Sequence, residues 1–516
     1  MIKIPSPGIM FDAFVVVLRR FPLAMVAAVS AVITLIILTE DSRDADHIVK
    51  FWMVSMLGIP VFIGLSAFAQ SRAWDLNKHA IASGVALLGL GLYWFTLDLE
   101  DHTREFEMVG GFMSLFLVSH LFVAVAPFLN NKSVRDFWEY NKTLFGNLIL
   151  AVCFTLIIFF GLSLAILAVN ELFELEIRER VYMRLFIILA GIFNTVFFLF
   201  SFPKDFEFEP QEFAYHFVFK NLCKFILIPI VIIYFVILYV YSFKILLSWN
   251  LPRGWVSMLV SGFSVAGIFT YLLNFYLPEQ DDSPLVKAYR KWFWWVVLPM
   301  TALLFVAIGK RISDYGITEE RYLIAHLGVW LLLNCLFFLF SKKENIKFLP
   351  ITLGLFALVW AFGPFNATAV STRSQFGRLK HILERNDRLE NGKMKVSNVE
   401  MPKEDVDEFV GALTFLDQRN KLDMLTPYLP AHIDSLKVPT DTLGFYGSTG
   451  KLAMWLGIKQ QINPDDITAY QIYGPQVSSS YNIKGFNQYI EVESANWSDT
   501  DPVNPGNYFK FNDAGD

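Results

Sequence analysis

The sequence predicts an all-α polytopic transmembrane helix bundle of about eleven spans, followed by a small C-terminal soluble α+β domain. Three observations predict it. Apolar residues fill 54% of the 516 positions and charged residues only 18%, where a soluble domain carries about 25% charged. The apolar residues fall in blocks of roughly 20, the length a helix needs to cross a hydrocarbon core about 30 Å thick. Composition then changes: from Asn366 onward the chain holds 15 Lys+Arg and 20 Asp+Glu, so the whole net charge of -5 resides in the tail. This balance lacks the basic field that nucleic-acid binding requires.

Taken in order, residues 8–20 read as a short interfacial helix, ending at Arg19 and Arg20 just before Phe21 and Pro22. The spans follow at 22–38, 51–69, 79–97, 107–129, 143–169, 182–202, 221–247, 252–275, 291–309, 321–340 and 347–365, with the third the weakest. Helices are the expected form because lipid leaves no partner for free backbone groups, and the alternation of a membrane barrel is absent. The first run is too long for a cleaved signal peptide, and no small-residue cleavage site follows Leu38.

Counting Lys and Arg in short loops places the N-terminus in the cytoplasm, together with the loops at Lys132/Arg135, Lys287/Arg290/Lys291 and Lys342/Lys343/Lys347. An odd number of spans then puts the tail outside. Arg373, Arg378, Lys380 and Arg385 just after the last span pull the other way. The expected division is 1–365 for the bundle, 366–395 for an amphipathic juxtamembrane helix and linker, and 396–516 for the soluble domain. In that helix Phe376, Leu379, Ile382 and Leu383 share one face. It suits either an acidic lipid surface or the side of the tail domain. Val406, Phe409, Val410, Leu413 and Leu416 predict a second tail helix, and residues 488–492 alternate like a strand.

Polar side chains within spans are functional suspects. His120 stands near the middle of the fourth span, as a proton relay, a substrate ligand or an interhelical bond. Asn194 and Asn334 are expected to join helices, and Lys224 and Lys244 to extend toward the interfaces. No Asp or Glu sits at a span centre, which argues against an ion-coupled carrier. The three cysteines, Cys153, Cys223 and Cys335, all fall in apolar blocks. No phosphate loop, nucleophile elbow or paired-His motif appears. We therefore expect no metal, no cofactor and no recognisable catalytic set.

Two segments stand out. In Lys310–Tyr322, Gly316 can take positive φ and end one helix, Thr318 can cap the next, and Glu319 and Glu320 oppose its dipole. Arg311, Tyr315 and Arg321 remain as a basic and aromatic cluster at one membrane face. In the second segment Pro364 breaks the last span, and Ser371 or Thr372 is expected to cap the helix carrying Ser374, Gln375 and Arg378.

With a third run, Tyr241 to Ser257 with Arg253 and Trp255, these motifs resemble a bacterial membrane family known as domain of unknown function DUF4153. The resemblance covers most of 1–430 and implies a multi-pass protein of the bacterial cytoplasmic membrane, from a Bacteroidetes-like organism. It implies no activity. Three functions stay open. A permease for a small solute or envelope precursor is suggested by Pro60, Pro229 and Pro299 within spans. An envelope sensor or scaffold would use the tail as a binding module, and an enzyme would act on a lipid-linked substrate. Membrane lipids are the expected partners, and oligomeric state is unread.

Overall fold

A computed structural model describes residues 7–40, 45–101, 104–129, 133–208, 215, 217–248, 255–341, 344–397, 399–429, 452–453 and 455–458. All belong to the first of two compact units, Met1–Gln460. The strand expected at 488–492 lies outside the described residues.

The chain is a helical membrane bundle. Helix α1 (Pro7–Arg20) runs along one end and turns by 112° into α2 (Pro22–Leu38), as an interfacial helix entering a span must. Pro22 opens α2 at the position where a missing amide costs nothing. The following helices are α3 (Ala45–Ser71), α4 (Leu76–Thr96), α5 (Glu105–Val125) and α6 (Val134–Phe173). Next, α7 (Arg180–Ile188) and α8 (Asn194–Phe200) make one span through a π-helical turn, Leu189–Phe193. Helices α9 (Phe217–Asn221) and α10 (Ile228–Ser248) are joined likewise through Leu222–Leu227. The bundle closes with α11 (Trp255–Leu273), α12 (Pro284–Tyr315), α13 (Glu319–Phe340) and α14 (Phe348–Ala361).

Among the described residues nine helices are long and apolar enough to cross a membrane, and the bent α1–α2 pair makes a tenth. The eleventh expected span is shorter than predicted. Helix α14 has 14 residues, about 21 Å at 1.5 Å per residue, because the chain leaves helical geometry before Gly363, whose φ is +81°. The weak third span is α4, in which only Ser83 is buried; Ala86, Leu90 and Tyr93 are half-buried against the bundle and most of the rest is exposed.

Small residues let α2 and α3 approach closely. Ala24, Ala27, Ala28 and Ala31 are buried, and a Cβ at Gly58 would stand 3.1 Å from that of Ala27. Rings fill the centre, as where Phe128, Tyr140, Phe202 and Phe206 meet. Arg20 ties one end together, donating to Gln70 Oε1 and to the carbonyls of Phe202 and Pro203. The Arg290–Glu344 pair brings the base of α12 and the start of α14 near one another. The tail therefore leaves from the opposite end of α14.

There α15 (Ala367–Arg385) packs on α16 (Lys403–Asp417) around a second core. It includes Leu379, Ile382, Leu383, Phe409, Leu413 and Leu416, a short hairpin (β1, Leu389–Glu390; β2, Lys393–Met394) and Leu452, Leu456 and Ile458. Of the two arrangements open for α15, packing against the tail is the one observed.

Candidate functional site: the seam between the bundle and the tail

The two motifs meet in space. At the end of α12 Gly316 has φ +70° and ψ 178°, a region that is almost glycine-only, and its amide donates to the Ile312 carbonyl at 2.9 Å. The chain thus stops the helix and exposes its carbonyls. Gln375 Nε2 donates to the carbonyls of Tyr315 (3.1 Å) and Ile317 (2.9 Å), and Ser374 Oγ accepts from the Ile317 amide at 3.0 Å. Arg378 donates to the Asp314 carbonyl and pairs with Glu408 at 2.7 Å. Thr318 occupies the N-cap of α13, but its side chain makes no capping bond.

The stripe of α15 that makes these contacts changes character along its length. Thr368, Ser371, Thr372 and Gln375 are buried at the bundle end, and Leu379, Ile382 and Leu383 continue the same face into the tail core. In the polar half Gln375 reaches the connector carbonyls while Ser371 bonds back to its own helix, and the apolar half meets side chains. Neither Ser371 nor Thr372 caps this helix. Asn366 does, its side chain accepting the Ala369 amide at 2.7 Å, because the turn after Gly363 starts the helix earlier than predicted.

Glu319 faces the tail. It is 3% exposed and receives two bonds from Arg419, at 2.5 and 2.8 Å, the paired geometry in which arginine binds a carboxylate most strongly. Arg419 lies over the Phe415 ring at 3.6 Å. Arg388 anchors the tail in another way. Only 1% exposed, it donates to the carbonyls of Leu456, Asn386, Ser397 and Val399. Burial pulls its guanidinium below the ordinary value, against the pull of Asp387.

Between the connector, α15 and α16 lies an open cleft of about 950 Å³. Its bundle side carries Tyr315 and Arg321, α15 adds Ser374, Arg378, His381 and Arg385, and α16 presents Glu404, Asp407 and Glu408. Arg321 is held by donating Nη1 to the carbonyls of Tyr315 (3.1 Å) and Gly316 (2.9 Å), and it lies 5.3 Å over the Tyr315 ring. Arg311 and Arg378 repel it, and Glu320 attracts it.

Comparison with known proteins places this arrangement in a family. The model for "Domain of unknown function (DUF4153)" matches residues 23–389, from the first span through the α15 seam. The chain belongs to the DUF4153 family. A curated relative of this DUF4153 chain is an uncharacterised protein of Pasteurella multocida, 24% identical over 378 residues. That match covers 72% of this chain and 59% of the relative, so the chain spans less than two thirds of that protein's length. No solved structure matches.

The other expected site residues are dispersed. His120 points outward from α5, and its Nδ1 donates to the Phe116 carbonyl of its own helix at 2.7 Å. Asn194 bridges helices, donating to Thr155 Oγ1 at 3.2 Å. Asn334 is fully buried, donates within its own helix to Trp330 at 2.7 Å, and leaves its Oδ1 without a partner among the described residues. Lys224 pairs with Asp281 at 3.2 Å, and Lys244 is exposed. Arg253 lies outside the described residues, and Trp255 is described only as the start of α11. Arg419, Glu408, Asn366 and Arg388 were not anticipated. The signal for Glu408 was there: α16 pairs an apolar stripe with charges beside it, which suits a helix lying against a charged neighbour.

Proposed function

We propose that this chain is a membrane-anchored receptor or scaffold whose working site is the cleft at the seam. The observation that carries the reading is that both family-like motifs are used to hold the tail on the end of the bundle, and the surface they create is a cleft with charged walls. Gln375, Ser374 and the Glu319–Arg419 pair fix the geometry, and Arg321 and Asp407 are left facing the cleft. Preorganised polar groups around a concavity are what recognition of a polar ligand requires. On this reading the bundle positions the tail on the non-cytoplasmic side, opposite the Arg20 end, and an envelope component is the ligand.

A photo-cross-linking amino acid at Gly411, where a Cβ meets no atom within 4 Å, tests this in intact cells. The expected result is a discrete adduct lost with Arg321→Ala. An adduct pattern identical to that from Gly89 on the outward face of α4 contradicts the reading.

Solute permeation is supported by a different observation. Two consecutive spans each contain a π-helical turn, Leu189–Phe193 and Leu222–Leu227. Such turns recur at functional sites and free backbone groups inside a membrane. Proteoliposome flux of a small solute, abolished by Asn194→Leu without loss of folding, would favour that reading over the first.

A further inference from the structure

We infer that the cleft at the seam binds the headgroup of a phospholipid that carries both a phosphate and a primary amine, with the phosphate on Arg321 and the amine on Asp407 and Glu404. This rests on the receptor reading of the cleft and names its ligand.

The phosphate side follows from Arg321. Its Nη1 is occupied by two connector carbonyls, which set the plane of the guanidinium, while Nε and Nη2 meet no acceptor among the described residues. No carboxylate lies within ion-pair distance of it, whereas Arg378 and Arg385 are neutralised by Glu408 and Asp405. Arg321 thus keeps a charge with no ion-pair partner among the described residues and a preset pair of donors, the arrangement that receives two phosphate oxygens. Repulsion from Arg311 is relieved when an anion arrives.

The amine side follows from α16. Asp407 and Glu404 are exposed on the cleft wall and have no ion-pair partner among the described residues. A bare phosphate would be repelled by them, whereas an ammonium group complements them. They favour a primary amine over a quaternary one, because carboxylates accept N–H bonds and quaternary ammonium groups are held by aromatic faces instead. The lipid source follows from position. The cleft opens where α12 ends and α13 begins, beside exposed Tyr315 and Phe365, 52% and 63% accessible, and aromatic residues at helix ends mark the headgroup level.

The test uses the full chain purified in detergent, titrated with short-chain phosphatidylethanolamine, phosphatidylcholine and phosphatidylglycerol, and with free phosphoethanolamine and inorganic phosphate. Saturable thermal stabilisation is read. Phosphatidylethanolamine should bind about tenfold or more tightly than the other two lipids, and the soluble compounds should be weaker still because micelle anchoring raises local concentration. Asp407→Asn and Arg321→Lys should each weaken binding about tenfold, the loss expected of one charge-assisted contact. Arg321 also holds the connector, so Asp407→Asn, at an exposed position, keeps the test valid if Arg321→Lys fails to fold. Equal binding of phosphatidylglycerol, or unchanged binding in Asp407→Asn, overturns the proposal. Phosphoethanolamine as effective as the lipid overturns the lipid source. A specific Gly411 adduct without phosphatidylethanolamine binding leaves the receptor reading standing and removes this ligand.

Discussion

At the scale of single residues, two positions hold the seam and the tail in shape. Gly316 combines φ +70° and ψ 178° with a Cβ position only 2.8 Å from Gln375 Nε2. Gly316→Ala should therefore cost about 1–3 kcal/mol from backbone strain alone, and it should also displace Gln375. Thermal unfolding of the purified chain checks this, and an unchanged midpoint contradicts it. Arg388→Met should cost the tail about 2–4 kcal/mol, since it leaves several buried carbonyls without a donor. The measurement is the exchange of α15 and α16 amides, which should quicken in the variant. Gly316 was legible from sequence because a glycine between two apolar blocks has few other uses. Arg388 was not, since its acceptors are backbone carbonyls at Ser397, Val399 and Leu456, and the sequence does not say where carbonyls point.

At the scale of elements, the spans were legible because length and hydropathy are local properties, and their ends were less so. Helix α14 stops early and Asn366 begins α15 because Gly363, Pro364 and an Asn cap act together over a few residues. The bonds between helices were the hardest to foresee. Reasoning from residue type favoured His120 and Asn334, yet both bond within their own helices. Asn194 does reach across to Thr155, and further ties between elements run from Trp138 to the Leu272 carbonyl, Tyr289 to the Gly267 carbonyl and His326 to the Phe356 carbonyl. In an aromatic-rich chain such donors are too common to single out.

Two element contacts carry predictions. Removing Arg419 strands the buried Glu319 carboxylate, so Arg419→Ala should destabilise the seam by about 3 kcal/mol or more, while the double variant with Glu319→Gln should recover part of the loss. Additive losses in the two single variants would contradict direct coupling. The loop between α11 and α12 should respond to acid. The Asp281 carboxyl is held below its ordinary value, first by the Ser283 amide and then by Lys220 and Lys224. A depressed carboxylate contributes stability that is complete above its unfolded value, near about 4, and is lost as pH falls through the lower folded one. Wild type and Asp281→Asn should thus differ in thermal midpoint at neutral pH and converge below about pH 4; a constant difference would argue against this linkage.

At the scale of the whole molecule, the described residues form a bundle whose outer surface is apolar, with α15 and α16 packed at the end where α14 stops. Arg20 stands where α2 begins and the tail follows the end of α14, and the loop charges predict that these two ends face opposite sides, with Arg20 in the cytoplasm. A cysteine at exposed Val399 should therefore react with a membrane-impermeant maleimide in intact cells, and one at Lys78 only after permeabilisation. The reverse pattern would invert the orientation.

What the tail is for turns on whether the seam is a built surface or a passing contact. Hydrogen exchange of the connector amides in the membrane-embedded chain decides this most directly. The Ile317 amide bonds to Ser374 across the seam, so the account predicts strong protection in the wild type and its loss in Gln375→Ala and Arg419→Ala, with the α12 and α13 interiors unchanged. Exchange at Ile317 as fast as in an unstructured peptide, in the wild type itself, would contradict the seam and the cleft it forms.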